Sequence, residues 1–121
     1  MGKKILIVDD SESIREVVSF TLANAGHEVQ KAVDGDDALK LLDGTAYDLI
    51  ITDLHMPNKN GIELIREVRE MDSYKFIPIL FLTTESQAEK KKEAKEAGAT
   101  GWIVKPFVPE KLLAAINKVV R

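Results

Sequence analysis

With 121 residues, 45% hydrophobic and 31% charged, the chain can build one hydrophobic core and has no room for a second. A formal net charge of -3 gives no general attraction to nucleic acid or to an anionic membrane, and the lack of cysteine excludes disulfides, thiolate metal sites and cysteine nucleophiles. Met1-Gly2-Lys3-Lys4 runs straight into a strand-like segment without an apolar leader pattern, so a cytoplasmic protein is expected, with no direct contact to membrane or nucleic acid.

The first apolar run, Ile5-Leu6-Ile7-Val8, is short and branched, which predicts a buried strand over Lys4 to Val8. Two carboxylates, Asp9 and Asp10, end it. The next segment places Ile14, Val17, Val18, Leu22 and Ala25 on one helical face, with a capping box from Ser13 to Glu16 and a stop at Gly26. A strand over Glu28 to Ala32 and a helix carrying Ala38, Leu41 and Leu42 follow. A third strand, Asp48 to Thr52, delivers Asp53 to the end of the run Leu49-Ile50-Ile51.

Directly after it, Leu54-His55-Met56-Pro57-Asn58-Lys59-Asn60-Gly61 turns the chain into a helix with Ile62, Ile65 and Val68 inward. The fourth strand, Ile77 to Leu82, leads into Thr83 and Thr84. The helix beyond it, capped by Ser86 with Glu89, has only Ala88, Ala94 and Ala97 as apolar residues. It has little to bury, and reads as a solvated, loosely anchored helix held by charge pairs such as Glu89 with Lys92. The fifth strand, Gly101 to Val104, ends on Lys105, and the last helix follows Pro109 with Leu112, Leu113, Ile116, Val119 and Val120 inward.

This alternation predicts one α/β domain over residues 1–121, a doubly wound parallel sheet of five strands with five helices. Parallel strands send their ends to one crevice at the carboxyl edge of the sheet. Asp9, Asp10, Asp53, Thr83 with Thr84, and Lys105 should therefore meet. Carboxylates held within about 4 Å repel by several kcal/mol even at an effective dielectric of about 20, which raises at least one carboxyl pKa and demands a cation. Lys105 offsets one charge. Oxygen ligands without a His or Cys cluster make Mg²⁺ the metal to expect for the rest.

A carboxylate, a magnesium ion, a lysine and a hydroxyl facing one point can bind a phosphoryl group, and Asp53, alone on its strand, is the natural nucleophile. Blander roles exist for each residue. Asp10 could cap the first helix, Thr83 could be a strand residue with Thr84 or Ser86 as a cap, and Lys105 could be a solvated loop lysine. Trp102 could be core packing, and His27 a plain surface residue.

Taken together, Asp9-Asp10 after the first strand, Asp53 followed by Met56-Pro57 and Gly61, Thr83 after the fourth strand, and Lys105-Pro106-Phe107 after the fifth make the chain resemble the receiver domain of bacterial two-component response regulators. The resemblance covers residues 1 to 121. It implies a flavodoxin-like sheet of order 2-1-3-4-5, Asp53 as phosphoacceptor, and Mg²⁺ held by Asp10, Asp53 and the backbone carbonyl of His55, with Asp9 acting largely through water. It further implies that Lys105 pairs with the phosphoryl group before a cis Pro106, and that Thr83 and Trp102 are the switch hydroxyl and switch aromatic. In the chemotaxis members of that family the aromatic is commonly tyrosine, so Trp102 departs from the pattern, while His55 and Glu85 stand where the lifetime of the phosphorylated state is set.

The implied function is that of a single-domain response regulator in a phosphorelay. It would accept a phosphoryl group from the phosphohistidine of a sensor histidine kinase or phosphotransfer protein and signal to a downstream protein target, with self-phosphorylation and self-dephosphorylation as its only catalysis. Two rivals differ in kind. A magnesium-dependent phosphatase with an aspartyl nucleophile would want a second acid two residues after Asp53, where His55 stands. A flavodoxin-like FMN carrier would want a hydroxyl- and glycine-rich loop after the first strand, where Asp9-Asp10-Ser11-Glu12 stands.

Overall fold

The computed structural model describes residues 2–54, 56, 59–84 and 88–120, without the side chains of Thr83, Thr84, Ala88 and Glu89. The five strands are β1 (Lys4–Val8), β2 (Glu28–Ala32), β3 (Leu49–Asp53), β4 (Ile79–Thr84) and β5 (Gly101–Lys105). They alternate with α1 (Glu12–Asn24), α2 (Gly35–Leu41), α3 (Gly61–Arg69), α4 (Ala88–Ala97) and α5 (Pro109–Val119), with a 3-10 turn over Asp72–Tyr74 before β4. All four strand pairings are parallel, in the order β2-β1-β3-β4-β5.

The strands' alternating side chains divide the core between two sheet faces. Leu6, Val8 and Ile50 point to one side and pack with Ala38 of α2 and Leu64, Ile65 and Val68 of α3. Ile5, Ile7, Leu49 and Ile51 point to the other, against Val18 and Leu22 of α1 and Leu112 and Ile116 of α5. Being covered on both faces is why these strands read as unbroken apolar runs. A smaller cluster joins Phe81 of β4 and Ala94 of α4 to Leu54 and Ile62.

Several boundaries differ from the sequence expectation for identifiable reasons. The cap of α1 is Ser11, whose side chain accepts the Ile14 N–H at 3.3 Å; Ser13 lies inside the helix. Val17, expected inside, is exposed, and the inward stripe is Ile14, Val18 and Leu22. β4 starts at Ile79 rather than Ile77 because Pro78 has no N–H to give the ladder, although its carbonyl accepts the Ile50 N–H. His27 is half-buried, and its Nδ1 accepts the Lys3 N–H at 3.1 Å, a local structural task. The proposed Ser86 cap lies outside the described residues.

α4 is thinly anchored, as its composition implied. Ala94 is its buried apolar contact among the described side chains. Among the described side chains, the ion pairs on it are Lys90 with Glu93, and Glu93 with Arg66 of α3. Its carboxyl end is fastened differently: Arg69 of α3 donates from Nε and Nη2 to the Gly98 carbonyl at 3.1 and 2.7 Å, and from Nη1 to the carbonyls of Tyr74 and Lys75 at 3.3 and 3.2 Å. No described helix is long and apolar enough to cross a membrane.

Candidate functional site

The parallel register sets the acids side by side. Val8 of β1 is level with Thr52 of β3, so Asp9 and Asp53 are the next residues along adjacent strands. Carboxylate oxygens of Asp9, Asp10 and Asp53 lie within 4.8 Å of one another, the one cluster of metal-ligating side chains among the described residues. Asp9 is wholly buried, Asp53 nearly so at 8% exposure, and Asp10 is open to solvent.

Each buried acid is held by the backbone around it. The Ser11 N–H donates to Asp9 Oδ1 at 2.8 Å, and Arg15 Nη1 donates to the Asp9 carbonyl at 2.6 Å. The Leu54 N–H donates to Asp53 Oδ1 at 2.9 Å. Beyond Asp53, α3 begins with a reciprocal cap in which Asn60 Oδ1 accepts from the Glu63 N–H and Glu63 Oε1 accepts from the Asn60 N–H. Lys59 pairs with Glu67, which ties the turn after Asp53 to α3. Gly61 is buried against Asp53: a Cβ there would overlap the Asp53 carbonyl oxygen, so a side chain would push the β3 end away from the helix.

Lys105 reaches in from the end of β5. Its Nζ donates to Asp53 Oδ1 at 3.1 Å and stands 3.6 Å from Asp9 Oδ2, with a cis peptide to Pro106 immediately after it. One ammonium thus faces two carboxylates. Burial pushes the Asp9 carboxyl above the usual carboxylate range; the Ser11 N–H opposes this, Asp53 adds to it, and Lys105 opposes it again. Asp9 Oδ2 is buried without a hydrogen-bond partner among the described residues. A buried carboxylate oxygen that has an ion pair at 3.6 Å but no hydrogen bond, inside an oxygen-only cluster carrying surplus negative charge, fits a hard divalent cation.

Thr83 and Thr84 end β4, with Thr83 level with Val104, so the backbone brings that position to the same sheet edge. The Thr83 hydroxyl, the His55 carbonyl, Pro57 and Glu85 lie outside what is described. Trp102, on the edge strand β5, is 41% exposed, with its ring edge-on to Phe81 at 6.2 Å and the Lys91 ammonium 5.2 Å from its centroid. Sequence reasoning named the charged groups of the site and missed their supports. Asn60 three residues before Glu63 carried a readable signal, whereas Arg15 and Lys59 reach their partners only through the fold.

Residues 5–117 match the family described as the response regulator receiver domain. The chain belongs to that family. Receiver domains act in two-component phosphorelay signalling, and so does this one, which disfavours the phosphatase reading. A chemotaxis response regulator of Vibrio cholerae, CheY4, has a solved structure that superimposes with a TM-score of 0.94 at 51% identity, covering 99% of this receiver and 100% of that chain. The chemotaxis protein CheY-3 of Vibrio cholerae is 38% identical over 117 residues, 96% of this receiver and 90% of its own length. The receiver domain of sensor histidine kinase PA1611 from Pseudomonas aeruginosa, 26% identical with a TM-score of 0.90 over 98% of both chains, was solved with a magnesium ion coordinated in its active-site cleft.

Proposed function

We propose that residues 1–121 form one receiver unit in which Asp53 accepts a phosphoryl group from the phosphohistidine of a sensor histidine kinase or phosphotransfer protein. The observation that carries this is Lys105 bridging Asp53 and Asp9 beside a third acid: a nucleophile, a countercharge and a cation seat at one strand edge. Both described hydrogen bonds to the Asp53 carboxylate fall on Oδ1, which supports a reading in which Oδ2 attacks. In the transfer a P–O bond forms at Asp53 as the donor's P–N bond breaks, and the imidazole nitrogen keeps the electron pair.

Asp9, Asp10 and Asp53, with the His55 carbonyl, would hold Mg²⁺, the ion coordinated in the PA1611 receiver. When bound, it supplies positive charge that neutralises phosphoryl oxygens. Asp9 orients the cluster through its Ser11 and Arg15 bonds, and Lys105 follows the charge on Asp53. Thr83 would donate its hydroxyl to the acyl phosphate, and Trp102 would turn from its outward position toward the space vacated. The reading further includes slow hydrolysis of the acyl phosphate by the domain itself, a cytoplasmic setting, and a protein target that recognises the α4-β5 surface. Names of relatives make chemotaxis the pathway to test first.

Intact-mass measurement after treatment with acetyl phosphate and Mg²⁺ tests the central claim. The wild type should gain one phosphoryl group and Asp53→Asn none, since an amide is a far poorer nucleophile. Full labelling of the variant would move the acceptor elsewhere.

A further inference from the structure

On the face where α4 meets β5, Trp102 has two neighbours of different kinds, the Phe81 ring and the Lys91 ammonium. A cation seated on an indole is an attractive contact, strongest of the aromatic cases. The sequence of α4 frees Lys91 for it. Residues three and four positions away, Gln87, Ala88, Ala94 and Lys95, include no acid, whereas Lys90 has Glu93 and Lys92 has Glu89 and Glu96 at helical spacing. Among the described residues, Lys90 does pair with Glu93, and no carboxylate pairs with Lys91.

We infer that Lys91 is the positioning residue of Trp102, its ammonium holding the indole in the outward position. The inference rests on the switch role proposed for Trp102, because the inward movement must give this contact up. Lys91 therefore sets how readily the site's state reaches the α4-β5 surface. It acts on the ratio of the two ring positions and touches neither Asp53 nor the acids around it.

The test reads the ring directly. Side-chain couplings and NOEs of Trp102 give its outward-to-inward ratio in the wild type, Lys91→Arg and Lys91→Met, with no metal or phosphoryl mimic present. Arginine should preserve the ratio. Methionine, of similar length but uncharged, should lower it about two- to fivefold. The concentration of beryllofluoride, with Mg²⁺, that half-saturates the tryptophan fluorescence change should fall by a similar factor in the methionine variant alone. An outward ratio in Lys91→Met equal to that of the wild type overturns the inference. A wild type whose fluorescence ignores bound beryllofluoride sinks the switch role of Trp102 instead, and the ligand-free ratio then still decides what Lys91 does.

Discussion

Lys105 and Asp53, at the ends of β5 and β3, are joined across β4 by a hydrogen bond of 3.1 Å from Nζ to Oδ1. The strand between them contributes nothing to that bond except distance. Because the same ammonium stands 3.6 Å from the buried Asp9, its removal leaves two carboxylates facing each other unscreened. Lys105→Met should lower the stability of the metal-free protein by about 1–2 kcal/mol, less than for a wholly buried pair because Lys105 keeps some solvent contact. Thermal melts in a metal chelator check this. The variant should still take up phosphate from a small donor with Mg²⁺, while its Trp102 emission no longer responds.

The raised carboxyl pKa of Asp9 fixes a direction of pH dependence. A carboxyl that holds its proton more tightly folded than unfolded binds more protons in the native state, so stability falls as pH rises. The loss begins at the ordinary carboxylate value near 3.8, is complete once pH passes the raised folded-state value, and stays constant above it. Asp9→Asn keeps an oxygen for the Ser11 N–H and removes the charge. Its metal-free melting temperature at neutral pH should exceed the wild type's by a few degrees, and saturating Mg²⁺ should reverse the order. Melts at several pH values, with and without the metal, read both effects.

Gly61 allows α3 to start against the backbone of Asp53, with its N–H on the Leu54 carbonyl at 2.9 Å. Since the overlapping atom is backbone, no side-chain rotation relieves it. Gly61→Ala should cost roughly 2–4 kcal/mol by overpacking, in the upper part of the range for such changes. Urea denaturation measures the cost. Labelling by acetyl phosphate should slow in the fraction that remains folded, because the Asp53 end of β3 moves.

Arg69 and Gly98 make a second joint of this kind. Gly98 has φ +113°, and a Cβ on it would come within 2.9 Å of the Arg69 guanidinium. Arg69→Gln should lose about 1–3 kcal/mol as carbonyls at two turns are left without their charged donor. Amide exchange should accelerate at Ala99 and Thr100, whose N–H groups bond to Ala94 and Ile79. Unchanged exchange there would show that the end of α4 is held without Arg69.

The sequence resolved the fold because both faces of the central strands are covered: the apolar runs of β1, β3 and β4 could hardly be anything but buried parallel strands, and β1 and β2 fall at the expected residues, although β2 is mostly polar and exposed. The acids and Lys105 were legible for the same reason, since each ends a strand. Legibility stopped where a choice depends on a residue from elsewhere. Ser11 and Ser13 both suit a cap by local spacing; the choice is made by Asp9, which takes the Ser11 N–H and starts the turn two residues earlier. Val17 and Val18 both suit the inward face of α1 by spacing; Val18 takes the place in the cluster with Leu112 and Ile116 of α5, and Val17 is exposed. Arg69 looked like any helical surface cation, because carbonyls supplied by a turn and by the end of α4 carry no mark in sequence.

The spacing of Asp9 and Asp53 is inherited from the hydrogen-bonded separation of β1 and β3, which any pair of parallel strands reproduces. The placement of the two acids is thus written in the main chain, and only a substitution that shifts backbone, as at Gly61, would disturb it. Side chains on the outer helices are free to drift without detuning the chemistry, and a lineage can acquire a new listener while keeping an old trigger.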